Sequence, residues 1–202
     1  MTQPSRPLRI AIADDEREVR EFFQEVLAHL GHQVVVAADT GRQLVEQCRA
    51  TSPDLVVTDI KMPDLDGVEA AAVLNRERQV PVILITAHPA VDFLARAGEG
   101  HVMAYLCKPI KPVDLQAAIA LAVMRFEQFQ KLRQEAASLR QALEDRKTLE
   151  RAKGILMERL RLGESEAFRR LRKLASDQNR KVVEVAGAVL AADEVFQALE
   201  KV

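Results

Sequence analysis

The sequence is poor in cysteine and in aromatic residues, and it has no tryptophan. Its 202 residues include two cysteines, one tyrosine and seven phenylalanines. Cys48 and Cys107 match no metal-binding spacing, which argues against a cysteine-ligated metal site. We expect both thiols to stay reduced in a cytoplasm.

Long apolar runs and an excess of charge of one sign are also missing. Apolar runs such as "VVVAA" at 34–38 are far too short to span a membrane. The opening "MTQPSRPLRI" lacks the apolar core of a signal peptide. The net charge of −1 indicates no partner by itself, and 48% hydrophobic with 29% charged residues is ordinary for a globular protein. These features predict a cytoplasmic protein without a membrane segment.

Residues 8–122 alternate short apolar runs with helical patterns. The runs predict strands at 8–13, 33–38, 54–60, 81–87 and 102–107. Helical spacing predicts helices at 17–30, which Gly31 is placed to stop, at 41–50, 69–77 and 91–97, and from 113 through 126. Five strand–helix units predict an α/β fold with a doubly wound parallel sheet. Ligands of such sheets bind at the carboxyl ends of the strands.

Polar residues collect at those strand ends. Asp14 and Asp15 follow the first strand, Asp59 ends the third, Thr86 the fourth, and Lys108 follows the fifth. Carboxylates on one rim repel each other unless a hard cation joins them, and Mg²⁺ takes oxygen ligands of this kind. Asp59 is then a candidate nucleophile for aspartyl-phosphate chemistry, with Lys108 and Thr86 holding the phosphoryl oxygens.

Simpler interpretations exist for each of these residues. Asp14 or Asp15 alone would more often be a helix cap, and their joint placement with the other strand-end residues is what favours a site. The "DLDG" at 64–67 resembles a calcium loop, but Met62 stands where that loop needs an acid. Phosphatases that form an aspartyl-phosphate commonly carry a second Asp where this chain has Lys61, so we predict that the protein is not an enzyme.

Residues 8–122 resemble the receiver domain of two-component response regulators. The matching motifs are "DD" at 14–15, "DIKMPDLDG" at 59–67, "TA" at 86–87 and "YLCKP" at 105–109. The resemblance implies that Asp59 is the phosphoacceptor and that a sensor histidine kinase is the partner. It also implies that Asp14, Asp15, Asp59 and the backbone carbonyl of Lys61 hold Mg²⁺.

The same resemblance implies a conformational switch. Thr86 and Tyr105 would form the switch pair, and the Lys108–Pro109 peptide bond would be cis. Phosphorylation would then shift the surface formed by the last two predicted helices and the last strand of the domain.

The connector after the receiver carries a seven-residue repeat. Residues 113–150 contain neither Pro nor Gly. Phe129, Ala136 and Leu143 form one series, and Leu132 and Leu139 form another. This spacing predicts a parallel coiled-coil dimer, with the alternative that the helix docks on its own chain. Since Arg146 breaks the register, we predict domains at 1–122, 123–145 and 146–202.

Basic charge is concentrated near the C-terminus. Residues 1–112 carry 12 basic and 16 acidic side chains, whereas residues 146–181 carry 12 basic and 5 acidic ones. Residues 182–202 are acidic again, with 1 basic and 4 acidic side chains. A concentrated basic module indicates a polyanionic partner, although a solvated Lys- and Arg-rich surface is the simpler alternative.

The basic module reads as three helices, at 146–162, 163–179 and 181–200, with Gly163 or Ser165 as a cap. The spacing predicts that its core is formed by Leu149, Ala152, Leu156, Leu160, Ala167, Phe168, Leu171, Leu174, Ala175, Val182, Val185, Ala186, Val189 and Leu190. Gly154 points away from that core. An exposed glycine among basic residues permits close approach of a base or backbone; a contact with a partner subunit is the alternative.

Residues 146–191 resemble the ANTAR domain of transcription antitermination regulators, on the segments "ERAKGILMERL", "EAFRRLRKLA" and "VVEVA". Gly163 departs from the Ser or Thr cap that is usual there. The resemblance implies RNA hairpin binding that favours an antiterminator over a terminator. The candidate RNA contacts are Lys147, Arg151, Ala152, Lys153, Gly154, Arg161, Arg169, Arg172, Lys173, Arg180 and Lys181. Because the module has no Trp or Tyr, we do not expect stacking of bases on aromatic side chains to be its main way of binding RNA.

Together these features predict a response regulator that dimerises on phosphorylation and acts as a transcription antiterminator. Two other classes stay open at this point. A DNA-binding regulator would need a recognition helix after a tight helix-turn-helix. A signalling adaptor would use its C-terminal helices to bind protein.

Overall fold

The computed structural model describes residues 6–87 and 102–199. The chain divides into two compact units, Met1–Lys131 and Leu132–Val202. Among the described residues, no helix is both long enough and apolar enough to cross a bilayer.

The first unit is a five-stranded parallel sheet in the order β2-β1-β3-β4-β5. Its elements are β1 (Arg9–Ala13), α1 (Arg17–His29), β2 (Gln33–Ala38), α2 (Gly41–Thr51), β3 (Leu55–Asp59), α3 (Gly67–Glu77), β4 (Val82–Thr86) and β5 (Val102–Cys107), followed by the start of α4 (Pro112–Leu160). The predicted doubly wound sheet is confirmed. The helix predicted at 91–97 lies outside the described residues.

Alternation along β1 sorts large and small side chains onto opposite faces of the sheet. Ile10 and Ile12 pack in one cluster with Phe23 of α1. Ala11 and Ala13 pack in another cluster, with residues of α2 and α3. Because four of the five β1 residues, Ile10 to Ala13, are buried, the register of the strand is strongly specified up to its end before Asp14.

Local signals set the ends of the helices. Gly31 has φ +81 just after α1, a left-handed conformation that suits glycine, so the predicted stop is confirmed. Thr40 caps α2 by accepting a hydrogen bond from Gln43 N at 3.2 Å. Asp66 and Glu69 form a capping box at the start of α3. This box orients the chain that returns from the end of β3.

The helix α4 runs for 49 residues without a break. The prediction that a separate helix begins near residue 146 is wrong, because no helix-breaking residue stands there and a lost heptad register does not end a helix. The domain boundaries at 122 and 145 stay predictions. Leu132, Leu139 and Leu143 are 66%, 71% and 53% exposed.

The second unit packs the end of α4 against α5 (Glu164–Asp177) and α6 (Val182–Leu199). The helices predicted at 163–179 and 181–200 are confirmed, with Gly163 at the N-cap of α5. The core consists of Ala152, Leu171, Ala175, Val185 and Ala186, with Leu149, Leu156, Val182 and Val189 packed around it.

The predicted core was too wide. Leu160, Phe168 and Leu174 were expected inside, and all three are exposed. Alanines at the centre of the core bring the helices close together, so only the middle of each apolar stripe is covered.

Candidate functional site

A pocket of about 230 Å³ opens at the carboxyl ends of the strands. We call it the acidic pocket, and it is lined by Asp15, Glu16, Asp59, Ile60, Lys61, Thr86, Ala87 and Lys108. Thus the sheet brings together the strand-end residues that the sequence selected, as parallel topology requires.

Lys108 is the electrostatic centre of the acidic pocket. Its Nζ lies 2.9 Å from Asp14 Oδ2, 3.2 Å from Asp59 Oδ1 and 3.3 Å from Glu16 Oε1. Asp14 is fully buried and Asp59 nearly so. Burial alone lowers the pKa of Lys108, but hydrogen bonds and charge from Asp14, then Asp59, outweigh it and raise that pKa. The lysine therefore stays cationic and neutralises buried carboxylates.

The Asp59 carboxyl is nearly buried, and this burial destabilises its charged form. Burial raises the pKa of its carboxyl, the charge of Lys108 opposes that rise, and the charge of Asp14 adds to it. The backbone N–H of Lys61 donates to Asp59 Oδ2 at 2.7 Å. The Asp59 carboxylate therefore lines the pocket between the ammonium of Lys108 and a fixed backbone N–H.

Gly67 fixes the loop that returns from Asp59. Its N–H donates to the carbonyl of Ile60 at 2.9 Å. A Cβ at this position would overlap the carbonyl oxygen of Asp59. Only glycine permits this approach of α3 to the end of β3.

The loop from β1 to α1 supplies a cluster of carboxylates. Glu16 N donates to Asp14 Oδ1 at 3.0 Å, and Arg20 Nη1 donates to the carbonyls of Asp14 and Asp15 at 2.7 and 3.1 Å. One carboxylate oxygen from each of Asp14, Asp15 and Glu16 lies within 4.8 Å of the others. Such hard oxygen donors fit Mg²⁺. Sequence reasoning missed Glu16, although three successive acids after a strand were a usable signal.

The predicted switch residues occupy two different places. Thr86 ends β4 and lines the acidic pocket, and its carbonyl accepts from Lys108 N at 2.9 Å. Tyr105 lies within β5, is half-buried, and packs, as do Met62 and Val102, against the core cluster on the α2–α3 side of the sheet. Burial raises the pKa of its phenol. The Lys108–Pro109 bond is cis, as expected.

The second candidate site is the set of exposed basic side chains between residues 146 and 181 other than Arg159, which we call the basic surface. It comprises Arg146, Lys147, Arg151, Arg161, Arg169, Arg170, Arg172, Lys173, Arg180 and Lys181. Several are paired with acids on the same helix. Glu166 receives hydrogen bonds from Arg169 at 2.7 Å and Arg170 at 3.0 Å, which lower the pKa of its carboxyl to about 2.

Gly154 lies beside this surface, and two of its neighbours differ from prediction. A Cβ on Gly154 would meet nothing within 4 Å, which confirms its exposure. The expectation that Ala152 is exposed is wrong, because it is fully buried in the core. Lys153 is 11% exposed, and its Nζ lies 2.8 Å from Glu150 and 2.7 Å from Glu164. Two acids therefore occupy the ammonium that was expected to meet RNA.

Arg159 is a basic residue with a structural position. Its Nε donates to Asp193 Oδ1, and its guanidinium lies 5.2 Å from the centre of the Phe196 ring. Gln197 Nε2 donates to Asp193 Oδ2 at 2.7 Å. This cluster joins the end of α4 to α6. Because Asp193 pairs with a residue of another helix, this contact follows no helical spacing and could not be predicted from the sequence.

Comparison with known proteins gives a match for each part of the chain. Residues 10–120 match the response regulator receiver domain, and residues 137–190 match the ANTAR domain. The transcriptional regulatory protein PdtaR of Mycobacterium tuberculosis (strain H37Rv) is 39% identical over 184 residues, which is 91% of this chain and 90% of that protein.

Solved structures match the first unit. The signal receiver domain of a modulated diguanylate cyclase from Desulfovibrio desulfuricans G20 has a TM-score of 0.57 at 29% identity, covering 60% of this chain and 98% of that one. The receiver domain of the response regulator NarL from Mycobacterium tuberculosis has a TM-score of 0.54 at 26% identity, covering 57% and 94%.

The chain is a response regulator of the receiver domain family, with a C-terminal ANTAR domain. Its function is therefore phosphorylation-controlled transcription antitermination through RNA binding, as predicted, and the DNA-binding and adaptor alternatives are not favoured. Both matched domains are regulatory. Receiver domains are phosphorylated by sensor kinases and bind Mg²⁺ at an acidic site, and this response regulator has acidic residues where such an ion would bind.

Proposed function

We propose that Asp59 is the phosphoacceptor of this response regulator and that its phosphorylation controls hairpin binding by the ANTAR domain. The observation that carries the proposal is the nearly buried Asp59 carboxylate in an open pocket, 3.2 Å from Lys108 Nζ. No other carboxylate at the end of β3 itself competes for that position, since Asp59 is its last residue and Ile60 and Lys61 follow.

The transfer needs one bond to form and one to break. An oxygen of the Asp59 carboxylate attacks the phosphorus of a kinase phosphohistidine. An O–P bond forms, the P–N bond breaks, and the imidazole nitrogen keeps the electron pair. Lys108 remains beside the product and exchanges part of its carboxylate pairing for the new phosphoryl oxygens. Thr86, at the pocket wall, donates its hydroxyl to the same group.

Magnesium fits the donors on this rim. Asp14, Asp15, Asp59 and the backbone carbonyl of Lys61 are the proposed ligands. The bound ion supplies positive charge that offsets the negative charge of the transferring group. Without it, carboxylates that already share one lysine would repel an anionic phosphodonor.

Helix α4 is the physical route from the pocket to the output. It begins at Pro112, four residues after Lys108, and runs unbroken to Leu160 in the ANTAR domain. Thr86 moving toward the phosphoryl group, with repacking of Tyr105, would bias the position of β5 and the start of α4. A change at the start of α4 therefore acts on the same helix whose end belongs to the ANTAR domain.

Dimerisation is the proposed consequence of that change. The seam of Phe129, Leu132, Ala136, Leu139 and Leu143 is exposed along α4. A parallel second copy covers such a seam by knobs-into-holes packing and brings two basic surfaces to one RNA. Leu132→Asp with Leu139→Asp should abolish a phosphorylation-dependent dimer in sedimentation, whereas Glu144→Gln, at a heptad position that faces away from the seam, should not. A dimer that survives the double substitution uses another surface.

RNA contact is proposed for the exposed part of the predicted set. Its members are Lys147, Arg151, Gly154, Arg161, Arg169, Arg172, Lys173, Arg180 and Lys181. Their cations would meet phosphates, and the open space over Gly154 would admit an unpaired loop base. Ala152 is not in this set because it is buried, and Lys153 is not because its side chain is only 11% exposed between Glu150 and Glu164.

The test uses full-length protein, a small phosphodonor and two labelled ligands. Mass spectrometry of the treated protein should locate one phosphoryl group on Asp59. A pool of RNA hairpins with randomised loops should be retained on filters by the phosphorylated protein, in preference to duplex DNA of the same stem sequences. Equal retention of the RNA hairpins and the duplex DNA would favour the DNA-binding alternative. Retention of neither nucleic acid would favour the protein-binding alternative.

A further inference from the structure

Glu16 occupies the N-cap of α1 but does not cap it. Its backbone is extended, with φ −78 and ψ 116, as at ordinary N-caps. Such positions favour side chains whose oxygen accepts a hydrogen bond from the first turn of the helix. The Glu16 carboxylate accepts none from that turn. Helix capping therefore does not account for the acid at this position.

The carboxylate of Glu16 serves the acidic pocket instead. Oε1 lies 3.3 Å from Lys108 Nζ, and the side chain forms part of the pocket wall beside Asp59. One of its oxygens also lies within 4.8 Å of a carboxylate oxygen of Asp14 and of Asp15. Glu16 thus shares the lysine with the buried acids and shares the cation site with the rim acids.

The backbone beneath Glu16 is fixed. Its N–H donates to Asp14 Oδ1, and Arg20 both continues the helix from the Glu16 carbonyl at 3.2 Å and holds the carbonyls of Asp14 and Asp15. The side chain itself is 65% exposed. Its charge therefore stays near the pocket mouth, where a phosphodonor must enter.

We infer that Glu16 is a positioning residue of the phosphorylation site, whose negative charge strengthens Mg²⁺ binding and opposes the entry of anionic phosphodonors. The inference rests on the proposed role of Asp59 and adds a residue to it. Stronger Mg²⁺ binding promotes phosphorylation, whereas repulsion of the phosphodonor slows it, so the two effects of the charge oppose each other. A role confined to folding would move both in the same direction.

The expected change in Mg²⁺ affinity follows from the solvent exposure of the Glu16 charge. A charge a few ångströms from a cation at a solvated pocket mouth changes binding by about three- to tenfold. Glu16→Gln, which removes the charge, should raise the Mg²⁺ dissociation constant by that factor and so weaken Mg²⁺ binding. At saturating Mg²⁺ it should accelerate phosphorylation, because one repulsive charge has been removed.

The experiment compares Glu16→Gln with Glu25→Gln in the full chain. Glu25 is exposed on the same helix and outside the acidic pocket, so its substitution removes an equal charge elsewhere. Isothermal titration with MgCl₂ alone gives the metal affinity. Phosphorylation rates at saturating Mg²⁺ are then measured with acetyl phosphate, a dianion at neutral pH, and with phosphoramidate, which carries less negative charge.

Glu16→Gln should lower Mg²⁺ affinity and speed transfer from acetyl phosphate more than from phosphoramidate, with Glu25→Gln matching wild type and Glu16→Asp lying between. Equal behaviour of the Glu16→Gln and Glu25→Gln proteins overturns the inference while leaving Asp59 as phosphoacceptor. Slower transfer from both donors also overturns it. A wild-type protein that takes no phosphoryl group on Asp59 rejects the proposed function and the inference with it.

Discussion

The receiver and the ANTAR domain handle charge in opposite ways. In the receiver, Asp14 and Asp59 are buried around the single ammonium of Lys108. In the described part of the ANTAR domain, Asp193 is the buried acid, and the basic side chains lie mostly on the surface. Several of these cations pair with acids of the same helix, as Glu166 does with two arginines.

The difference suits the two ligands. Buried charges lose hydration and must be held by fixed partners, so a site built from them accepts one group in one geometry. Surface pairs contribute little and are screened by salt, so a polyanion can displace them at small cost. The receiver is therefore built for covalent transfer at one atom, and the ANTAR domain for many weak phosphate contacts.

Removing the buried nucleophile should have the largest effect on function. Asp59→Asn should abolish phosphoryl transfer completely, as measured by intact mass after treatment with acetyl phosphate. The same change should raise the free energy of unfolding in metal-free buffer, because the fold raises the pKa of this carboxyl and so disfavours its charge. A less stable Asp59→Asn protein would mean that the buried carboxylate is held favourably by Lys108.

One substitution made in both domains gives the sharpest structural contrast. Gly67→Ala places a methyl group against the carbonyl oxygen of Asp59 and should cost about 1–3 kcal/mol or more of stability. Gly154→Ala enters open space on a helix and should stabilise by roughly 0.4–1 kcal/mol. Chemical denaturation of both proteins measures these values. Similar losses at both positions would show that Gly154 is packed against something.

The next contrast separates a free cation from a paired one. Within the described residues Arg151 has no acidic partner, whereas Lys153 lies between Glu150 and Glu164. Arg151→Ala should weaken hairpin binding and reduce the slope of log affinity against log salt by about 0.7–0.9. Lys153→Ala should lower the melting temperature and leave that slope unchanged. Equal slopes in the two variants would place Lys153 on the RNA after all.

The smallest effect concerns another buried titratable group of the receiver. His32 is buried, its Nδ1 accepts from Leu8 N at 3.3 Å, and burial lowers its pKa. As pH falls below about 6.5, the unfolded chain takes up the proton first, so stability should fall with pH in that range. Thermal melts from pH 7 to 5 should show a flatter profile for His32→Gln, while exposed His29→Gln should follow wild type. Parallel profiles of stability against pH in wild type, His32→Gln and His29→Gln would show that His32 does not cause the loss of stability at low pH.

Much of the receiver site could be predicted from the sequence, because alternation along the strands fixes where each one ends. Asp14, Asp59, Thr86 and Lys108 all lie where the strand ends placed them. The orientation of Glu16 toward Lys108 could not be predicted, since the side chain of a residue between strand and helix is not constrained by either period.

The ANTAR domain was less predictable because its interactions cross between helices. The pair of Lys153 and Glu164 joins α4 to α5 and follows no helical spacing. The burial of Ala152 did follow from its place between Leu149 and Leu156, and the expectation of an exposed contact there conflicted with the same helical periodicity. The continuity of α4 was also readable, because neither Gly nor Pro interrupts residues 113–153.

The central claim is that a phosphoryl group on Asp59 controls RNA binding by the ANTAR domain. Its most direct test is the affinity of the full-length protein for one hairpin selected from the randomised pool, measured with and without acetyl phosphate and Mg²⁺. Wild type should bind more tightly when phosphorylated, and Asp59→Asn should bind with one affinity under both conditions. Equal affinities for phosphorylated and unphosphorylated wild type, or a response in Asp59→Asn, would contradict the claim.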